Sequence, residues 1–295
     1  MVARITLEMW RVFVAIATDG SSQKAADSLH KSQSAVSHAL KKMEAELGHP
    51  LFELSGRNLV LTTLGKILLP KAQRLLGEAI GLESLGKNYQ SGFLDEIAIS
   101  SDILFPTELL KEVIERFHII YPNVSLRIFE PSLSGTSQLL EQGVIALGIS
   151  SIMPPDCIID PLIDIHKTCV CSVEHPLSTK VEISQSDLKQ HTHIVIRDSG
   201  QQNVNSGWLG STRRITVSQI NTALELVKSG YGYAWLPDTL TQLSYKNSQL
   251  TNVRLSKGST RIVRLQIGMR PDLTTLPEVT DLYDIFKAVA QSTIQ

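Results

Sequence analysis

The stretch from Ser22 to Gly48, SQKAADSLHKSQSAVSHALKKMEAELG, decides the fold of the first part of this chain. Its second half carries one apolar stripe at helical spacing, formed by Val36, Leu40, Met43 and Leu47. Its first half, from Ser22 to about Leu29, predicts a shorter helix in which Ala25 and Ala26 allow close helix packing. Ser32 can cap the second helix after a short turn. The pattern is that of a helix-turn-helix.

The other face of the second helix offers hydrogen-bond donors and positive charge, and it carries no carboxylate before Glu44. Its members are Ser34, Ser37, His38, Lys41 and Lys42. Short hydroxyls and an imidazole can reach base edges in a DNA groove, and lysines can reach phosphates. The face therefore predicts a DNA-binding recognition helix. An ordinary helical hairpin with a solvated polar face is the alternative that this stretch alone leaves open.

A second DNA-facing element is predicted directly after Gly48, where the chain reads HPLFELSGRNLVLTTLG. Two short apolar runs, Leu51-Phe52 and Leu59 to Leu61, flank the turn sequence Ser-Gly-Arg-Asn. This arrangement is typical of a small hairpin, or wing, with Arg57 at its tip. Because Arg57 can enter a minor groove or lie on a phosphate, we predict it as a further DNA contact.

The order of residues across this region resembles the DNA-binding domain of the LysR-type transcriptional regulators. The matching positions are Leu7, Phe13, Ala25-Ala26, Leu29, Ser32 to Ser37, Glu44, Leu47-Gly48, Leu51-Phe52, Leu61-Thr62 and Gly65. One position departs from the family, because Leu54 stands where the family usually has an arginine in the wing. The resemblance implies a homodimer or homotetramer that binds an interrupted inverted repeat in double-stranded promoter DNA. It also implies a small-molecule effector and contact with RNA polymerase.

Length and composition are those of an ordinary two-domain protein. The chain has 295 residues, of which 42% are hydrophobic and 19% charged, and its net charge is -1. Residues 1–90 have a net charge of +3 and the remainder has -4, which fits a nucleic-acid-facing N-terminus joined to a neutral sensor. No apolar run approaches the ~20 residues of a membrane helix, and the N-terminus lacks the features of a signal peptide. We therefore expect a cytoplasmic protein with no membrane partner.

The chain is predicted to have a winged helix-turn-helix domain over residues 1–62, a linker and dimerisation helix over 63–91, and an effector-binding domain over 92–295. The first helix is expected to pack inward through Leu7, Trp10, Phe13, Val14 and Ala17. The linker has apolar residues at about seven-residue intervals, at Leu64, Leu68, Leu75, Leu82 and Tyr89. Such a seam favours a coil between two subunits, although a helix packed on its own domain fits the same residues. Pro70 can kink this helix near its start.

From residue 93 onward, strands and helices alternate. The predicted strands are Ile97–Ile99, Val124–Phe129, Ala146–Ile149, Thr168–Val173, His193–Ile196, Arg214–Val217, Tyr233–Leu236 and Arg261–Ile267. The predicted helices are Pro106–Phe117, Leu133–Gln142, Ser218–Lys228 with Ser218 as N-cap, and Leu276–Gln291. The first five elements form a βαβαβ unit with a mostly parallel sheet. The whole resembles a two-lobed α/β periplasmic-binding-protein-like fold, with lobe 1 at about 92–165 and 267–295 and lobe 2 at about 166–266.

Ligands bind on such sheets at the carboxyl ends of strands, where five polar residues are candidates for effector binding. They are Ser100, Ser101, Thr136, Ser150 and Arg197. Ser100 and Ser101 are predicted at a helix N-terminus, where hydroxyls and amides suit a carboxylate, although Asp102 opposes an anion there. Arg197 can hold an anion across the cleft. An organic acid or an aromatic compound is expected, with local capping or turn chemistry as the alternative role of each residue.

No pattern in the sequence indicates catalysis, a cofactor or a metal ion. Cys169 and Cys171 alternate on a predicted strand, which favours small buried hydrophobic side chains over a redox or metal role. His191 and His193 can bind a metal from one strand face, but solvent-edge histidines are the favoured interpretation. Two rival functions stay open. One is an enzymatic or small-molecule-binding α/β protein whose hairpin only forms dimers, and the other is a thiol-redox regulator.

Overall fold

The chain folds into two compact units. The computed structural model describes residues 4–55, 58–88, 94–200, 204 and 208–292. The first unit comprises Met1–Lys87 with Glu141–Val144, and the second comprises Asn88–Leu140 with Ile145–Gln295. Among the described residues, no helix combines the length and the apolar character needed to cross a bilayer.

The first unit contains the predicted helix-turn-helix, wing and linker helix. Its elements are α1 (Leu7–Asp19), α2 (Ser22–Ser28), α3 (Gln33–Leu47), β1 (Phe52–Ser55), β2 (Asn58–Leu61) and α4 (Thr63–Asn88). The apolar stripe of α3 is confirmed, since Val36 and Met43 are buried and Leu40 and Leu47 pack against the same core. Pro70 lies inside α4, as predicted.

The inner face of α1 differs from the prediction. Leu7 is 47% exposed, whereas Met9, Val12, Phe13 and Ile16 are buried. Trp10, Val14 and Ala17 pack only partly against the core. The buried set follows the spacing i, i+3, i+4, i+7, so the apolar face of this helix is rotated away from its first residue.

The turns of this unit follow from capping chemistry. The Ser32 hydroxyl accepts a hydrogen bond from the Ala35 amide at 3.2 Å, which confirms Ser32 as the N-cap of α3. Gly20 and Gly48 end α1 and α3 with φ of 75° and 73°, a backbone conformation that glycine adopts without strain. These signals fix the lengths of the helices and hence the angle at which α3 leaves the turn.

Within the described residues, the second unit is built on a nine-stranded sheet. Its strands are β3 (Glu96–Ser101), β4 (Ser125–Phe129), β5 (Leu147–Ser150), β6 (Ile158–Ser172), β7 (His193–Ile196), β8 (Arg214–Val217), β9 (Tyr233–Pro237), β10 (Leu250–Asn252) and β11 (Thr260–Met269). Its helices are α5 (Thr107–Ile120), α6 (Gly135–Glu141), α7 (Gln185–Lys189), α8 (Ile220–Lys228), α9 (Asp238–Lys246) and α10 (Pro277–Ser292).

The strand order is β4-β3-β5-β11-β6-β9-β7-β8, with β10 paired to β6. β3 pairs in parallel with both β4 and β5, which confirms the predicted βαβαβ unit. The long strands β6 and β11 are antiparallel to each other along almost their whole length. Because this pair runs through the middle of the sheet, its side chains lie between the strands of the first half and those of the second.

Two predicted boundaries in this unit were wrong, and one helix was not predicted. β6 begins at Ile158 instead of Thr168, because its first part pairs with β11 despite the polar residues and Pro161 in it. α8 begins at Ile220 after Gln219, and Ser218 does not cap it. The residues after Pro237 form the helix α9, which was not among the predicted helices.

Candidate functional site

The polar face of α3 is available to a partner. Ser34, His38, Lys41 and Lys42 are exposed, and Ser37 is half-buried. The Ser34 hydroxyl lies 3.0 Å from the hydroxyl of the capping residue Ser32. Lys41 and Lys42 make no ion pair with any residue that the structure describes. The positive charge of this face is therefore free to meet phosphates.

Hydrogen bonds between two side chains and the backbone hold the start and the end of the wing. The Glu44 carboxylate accepts a hydrogen bond from the Leu51 amide at 2.7 Å, and the Thr62 hydroxyl donates to the Pro50 carbonyl at 3.0 Å. Gly65 is required beside them, because a Cβ there would lie 2.3 Å from the Leu51 carbonyl oxygen. These contacts give a physical reason for the glutamate, threonine and glycine that the sequence pattern contains.

The wing itself is an antiparallel hairpin in which Phe52 pairs with Leu61 and Leu54 with Leu59. The predicted DNA contact Arg57 lies outside the described residues. Leu54 is 77% exposed, so its side chain has no role in the core of this unit.

A cavity of about 280 Å³ lies in the second unit, beside the long strands β6 and β11. It is lined from the first half of the sheet by the loops after β3, β4 and β5, through Asp102, Ser132 and Ser151. From the second half it is lined by β7, β9 and α8. Its position at the ends of parallel strands is that predicted for a ligand site on this kind of sheet.

The charged side chains of the cavity come from the middle strands. Lys167 of β6 and Arg261 of β11 are direct cross-strand neighbours. Burial and the neighbouring Arg261 lower the pKa of Lys167, and burial lowers the pKa of Arg261. Burial raises the pKa of Asp102 to about 6, against the opposing effects of the Leu104 amide and the Lys167 charge. The cavity therefore contains two cations and one carboxylate whose pKa is raised but which is mostly ionised at pH 7.

Two of the lining residues, His193 and Trp235, belong to an aromatic group that also contains Tyr233. The Arg261 guanidinium lies 3.9 Å from the centre of the Trp235 ring. The His193 ring stacks on Tyr233 at 5.0 Å and meets Trp235 edge-on at 5.3 Å. Burial, followed by the charge of Arg261, lowers the pKa of His193 to about 4, so its imidazole is neutral at pH 7.

His193 also has an unsatisfied atom. Its residue is 5% exposed, and its Nδ1 atom is buried without a hydrogen-bond partner among the described residues. Among the described residues, β7 and β9 pair at one position, His193 with Tyr233. The residues that follow in both strands line the cavity. Buried polar atoms are normally paired, and His193 lines the cavity, so this nitrogen is a candidate contact for a ligand.

The five predicted effector residues lie elsewhere. None of Ser100, Ser101, Thr136, Ser150 and Arg197 lines the cavity. The Ser100 hydroxyl donates to the Thr136 hydroxyl at 3.1 Å, and the Ser150 hydroxyl donates to the Leu133 carbonyl at 3.1 Å. The helix N-terminus expected at Ser100 and Ser101 is wrong, because both residues belong to β3 and α5 begins only at Thr107.

Arg197 is exposed, and among the described residues its hydrogen bonds are made by its backbone. The Arg197 carbonyl accepts a hydrogen bond from the Ser132 hydroxyl at 2.5 Å. The next residue, Asp198, accepts hydrogen bonds from the Ser134 amide at 3.0 Å and the Ser134 hydroxyl at 2.8 Å. The amides of Gly200 and Val204 donate to the same carboxylate. Sequence reasoning missed this junction, which joins the loop after β7 to the loop before α6.

The cysteines and histidines form no metal centre in the described ranges of the chain. Cys169 and Cys171 are fully buried, and burial raises the pKa of Cys171 to about 12 and that of Cys169 well above its usual value. The centre of the His191 ring lies 5.0 Å from that of His175, whereas His193 is buried in the aromatic group, so the favoured interpretation as solvent-edge histidines is wrong for His193.

Comparisons with known proteins identify both units. Residues 7–66 match the family model for the bacterial regulatory helix-turn-helix protein of the lysR family, and residues 91–291 match that for the LysR substrate binding domain. The chain is 29% identical over 243 residues to the HTH-type transcriptional regulator YeeY of Escherichia coli, a match that spans 80% of this chain and 79% of that protein.

Two solved structures show the same fold. ArgP from Mycobacterium tuberculosis has a TM-score of 0.58 at 18% identity and 96% coverage of each chain. Full-length LysG from Corynebacterium glutamicum with bound effector Arg has a TM-score of 0.53 at 18% identity, over 97% of this chain and 98% of that one. These similarities confirm the predicted fold class, a helix-turn-helix unit followed by an α/β ligand-binding unit.

Proposed function

This chain belongs to the LysR family of transcriptional regulators, and on that premise we propose which of its surfaces bind DNA, a second copy and an effector. It is a DNA-binding regulator with an effector-binding domain. We propose that the winged domain ends at residue 62 and that the linker helix ends at residue 91, where the effector domain begins. The observation that carries the proposal is the face of α3 on which Lys41 and Lys42 are exposed and make no ion pair with a described residue, on a unit held by Glu44 and Gly65.

Ser34, Ser37 and His38 read base edges in the major groove, where hydroxyls and imidazoles can pair with bases. Lys41 and Lys42 grip phosphates of the same groove, and Arg57 of the wing holds the backbone or enters the minor groove. Both lysines are exposed and lack ion pairs among the described residues, which supports this role. The recognition helix lies in the groove as in other helix-turn-helix proteins.

Two subunits pair through α4, and two dimers form a tetramer. The helix exposes large apolar side chains along its described length, at Ile67, Leu75, Ile80 and Leu82. A helix that leaves such residues in water is suited to packing against another helix. A twofold pair of recognition helices matches an interrupted inverted repeat in double-stranded promoter DNA.

The cavity beside Lys167 and Arg261 takes the effector, an organic acid or an aromatic compound, and does not transform it. Ser150 supports the wall of this cavity, since its hydroxyl donates to the Leu133 carbonyl and Leu133 lines the cavity. Effector binding by Ser100, Ser101, Thr136, Ser150 and Arg197 stays a prediction. Effector binding biases the arrangement of the DNA-bound tetramer and so its contact with RNA polymerase. Because its target is promoter DNA, the protein works in the cytoplasm.

The test is a gel-shift titration of the full-length protein on the DNA upstream of its own coding region. Replacing His38→Ala and Lys41→Ala is expected to lower the affinity roughly tenfold to a hundredfold, because base and phosphate contacts are lost together. The slope of log affinity against log salt is expected to fall by about 0.9 for the phosphate contact that each subunit loses, and so by about 1.8 for a dimer on its two half-sites.

Lys111→Ala is the matched control, since Lys111 is an exposed lysine of α5 in the other unit. Unchanged affinity in the His38 and Lys41 variant would move the recognition surface elsewhere. If neither this fragment nor a pool of genomic fragments is bound at low salt, the ligand-binding or enzymatic alternative takes its place.

A further inference from the structure

We propose that the cross-strand pair Lys167 and Arg261 is the anion-binding part of the effector cavity, and that it takes a small monocarboxylate with a planar apolar body. This inference rests on the proposed function, in which the cavity holds the effector. It assigns the carboxylate to the two middle strands of the sheet, and not to the polar residues that follow β3 and β5.

The first observation is the juxtaposition of two like charges. Lys167 and Arg261 occupy paired positions of β6 and β11, and both line the cavity. Neither makes an ion pair within the described part of the chain. Like charges directly opposite on a sheet repel each other, and partial burial strengthens the repulsion. An anion between them removes this cost, which makes the pair a site prepared for a carboxylate.

The second observation is that other anion-binding groups nearby are already occupied. The hydroxyls of Ser100 and Ser150 donate to partners within the protein. The amide and hydroxyl of Ser134, which precede α6, donate to the Asp198 carboxylate. A carboxylate of the protein thus fills the position that a ligand carboxylate would need there. The cations of β6 and β11 are left for the ligand.

The charge balance of the cavity sets the charge of its ligand. Lys167 and Arg261 contribute two positive charges, Asp102 contributes one negative charge at pH 7, and His193 is neutral. The excess is one positive charge, which a single carboxylate neutralises. A dicarboxylate would leave one charge in excess, and an unpaired charge in a confined site is costly.

The walls of the cavity set the shape of the ligand body. Among the described residues β7 and β9 pair only at His193 and Tyr233, and the residues that follow in both strands, Ile194 to Ile196 and Ala234 to Leu236 with the Trp235 ring, line the cavity. A planar group fits between flat strands and rings, and it can bring a polar substituent to the unpaired Nδ1 atom of His193. A cavity of ~150 Å³ holds benzene, so about 280 Å³ suits a ring with its carboxylate and small substituents.

The experiment is isothermal titration calorimetry on the full-length protein with benzoate as the probe, in a buffer without other carboxylates. Benzamide has the same shape without the charge, and it is expected to bind at least about tenfold more weakly. Arg261→Gln and Lys167→Met are each expected to weaken benzoate binding by roughly tenfold or more, because each removes a charge-assisted contact.

The matched control is Arg264→Gln. Arg264 also belongs to β11, but its side chain is exposed and pairs at the surface with Asp164 at 3.7 Å. Benzoate binding is expected to be unchanged in this variant. Thermal unfolding of each variant checks its fold, and Lys167→Met is expected to unfold at no lower temperature than the wild type, since it removes a repulsion.

Asp102 supplies a second, independent readout. The charged groups around it are Lys167 of β6, Arg261 of β11 and, farther along the cavity, the neutral His193 of β7. Protonating Asp102 removes the negative charge that opposes the ligand, so benzoate affinity is expected to rise as the pH falls through about 6. In Asp102→Asn this dependence is expected to be flat, with higher affinity at pH 7.5 than in the wild type.

The outcomes separate this inference from the proposed function. Equal binding of benzamide, or full binding by Arg261→Gln, overturns the anion subsite. So does the absence of binding with benzoate, salicylate and acetate up to about 10 mM, a level that detects even millimolar affinity. Equal affinity for cyclohexanecarboxylate overturns the planar body alone. DNA binding by the same protein sample decides whether the regulator function stands when the subsite fails.

Discussion

The two sets of cations proposed to bind ligands in this protein lie in opposite environments. Lys41 and Lys42 on α3 are exposed, so water and salt compensate their charge when no DNA is present. Lys167 and Arg261 are partly buried, and burial lowers the pKa of each. We therefore expect the positive charges on α3 to leave the free energy of unfolding unchanged. Those in the cavity are expected to lower it. It follows that DNA binding depends on the packing contacts that position α3 and the wing. Ligand binding in the cavity depends on the balance of the charges within it.

The largest expected effect comes from disrupting the packing contact between α4 and the residue before the wing, which supports the DNA-binding unit. Gly65→Ala would place a Cβ 2.3 Å from the Leu51 carbonyl oxygen, a backbone atom that cannot move aside cheaply. We expect a loss of about 1–3 kcal/mol in the free energy of unfolding, and weaker DNA binding although no DNA contact has changed. Urea unfolding and gel shift measure the two effects.

Gly81→Ala is the control for this variant, because Gly81 belongs to the same helix and its added Cβ meets no atom within 4 Å. We expect it to raise the free energy of unfolding by about 0.5–1 kcal/mol, as alanine does in a helix interior. Equal stability of the two variants would mean that the contact between α4 and the residue before the wing does not constrain the unit.

The two sites also differ in how far the sequence predicts them. The donor face of α3 could be predicted because a single helix carries all of it, and its period is visible in a few turns. Lys167 and Arg261 are far apart in the chain, and only the pairing of β6 with β11 makes them neighbours. The sequence predicts in part that they lie on strands. It does not predict the strand register that places Lys167 opposite Arg261.

The predicted effector residues show the same limit of sequence reasoning. Ser100 and Ser150 do lie at the ends of strands, as the pattern predicted. Hydroxyls at such a position bind a ligand only if no protein group takes them first, and here Thr136 and the Leu133 carbonyl do. Asp198 likewise takes the donors of Ser134. Sequence spacing shows where a polar group stands, but not which neighbour satisfies it.

A second variant measures the stability cost of the buried site. The pKa of Asp102 is raised from 3.8 to about 6 in the folded protein, mainly by burial. A raised pKa of an acid means that its stabilising contribution is full below the unfolded value and is lost as pH rises through the folded value. At pH 7 the ionised carboxylate therefore costs up to about 3 kcal/mol.

Asp102→Asn removes this cost while keeping an oxygen for the Leu104 amide. We expect the variant to be more stable than the wild type by about 1–3 kcal/mol at pH 7, and the difference to vanish below about pH 4. Urea unfolding across that pH range measures it. Asp281→Asn serves as the control for an acid outside the cavity. A constant difference at every pH would show that packing, and not ionisation, sets the effect.

The smallest expected effect concerns the thiols beside the cavity. Cys169 lies two residues along β6 from Lys167 and opposite Trp235, so it is near the cations that would activate a thiol. Yet burial raises its pKa well above the usual value, and the charge of Arg261 lowers it only in part. Because the thiolate is the form that peroxide attacks, we expect peroxide to leave DNA affinity unchanged within about twofold.

Thiol labelling of the native protein tests the reason for that result. Cys157 is only half-buried and is expected to react first, whereas Cys169 and Cys171 should react only on unfolding. Cys157→Ser is the matched variant, and it should remove the rapid labelling without changing DNA affinity. If peroxide alters DNA binding in the wild type but not in a Cys169→Ala and Cys171→Ala variant, the thiol-redox alternative holds. The buried cations would then act on the thiols as well as on a ligand.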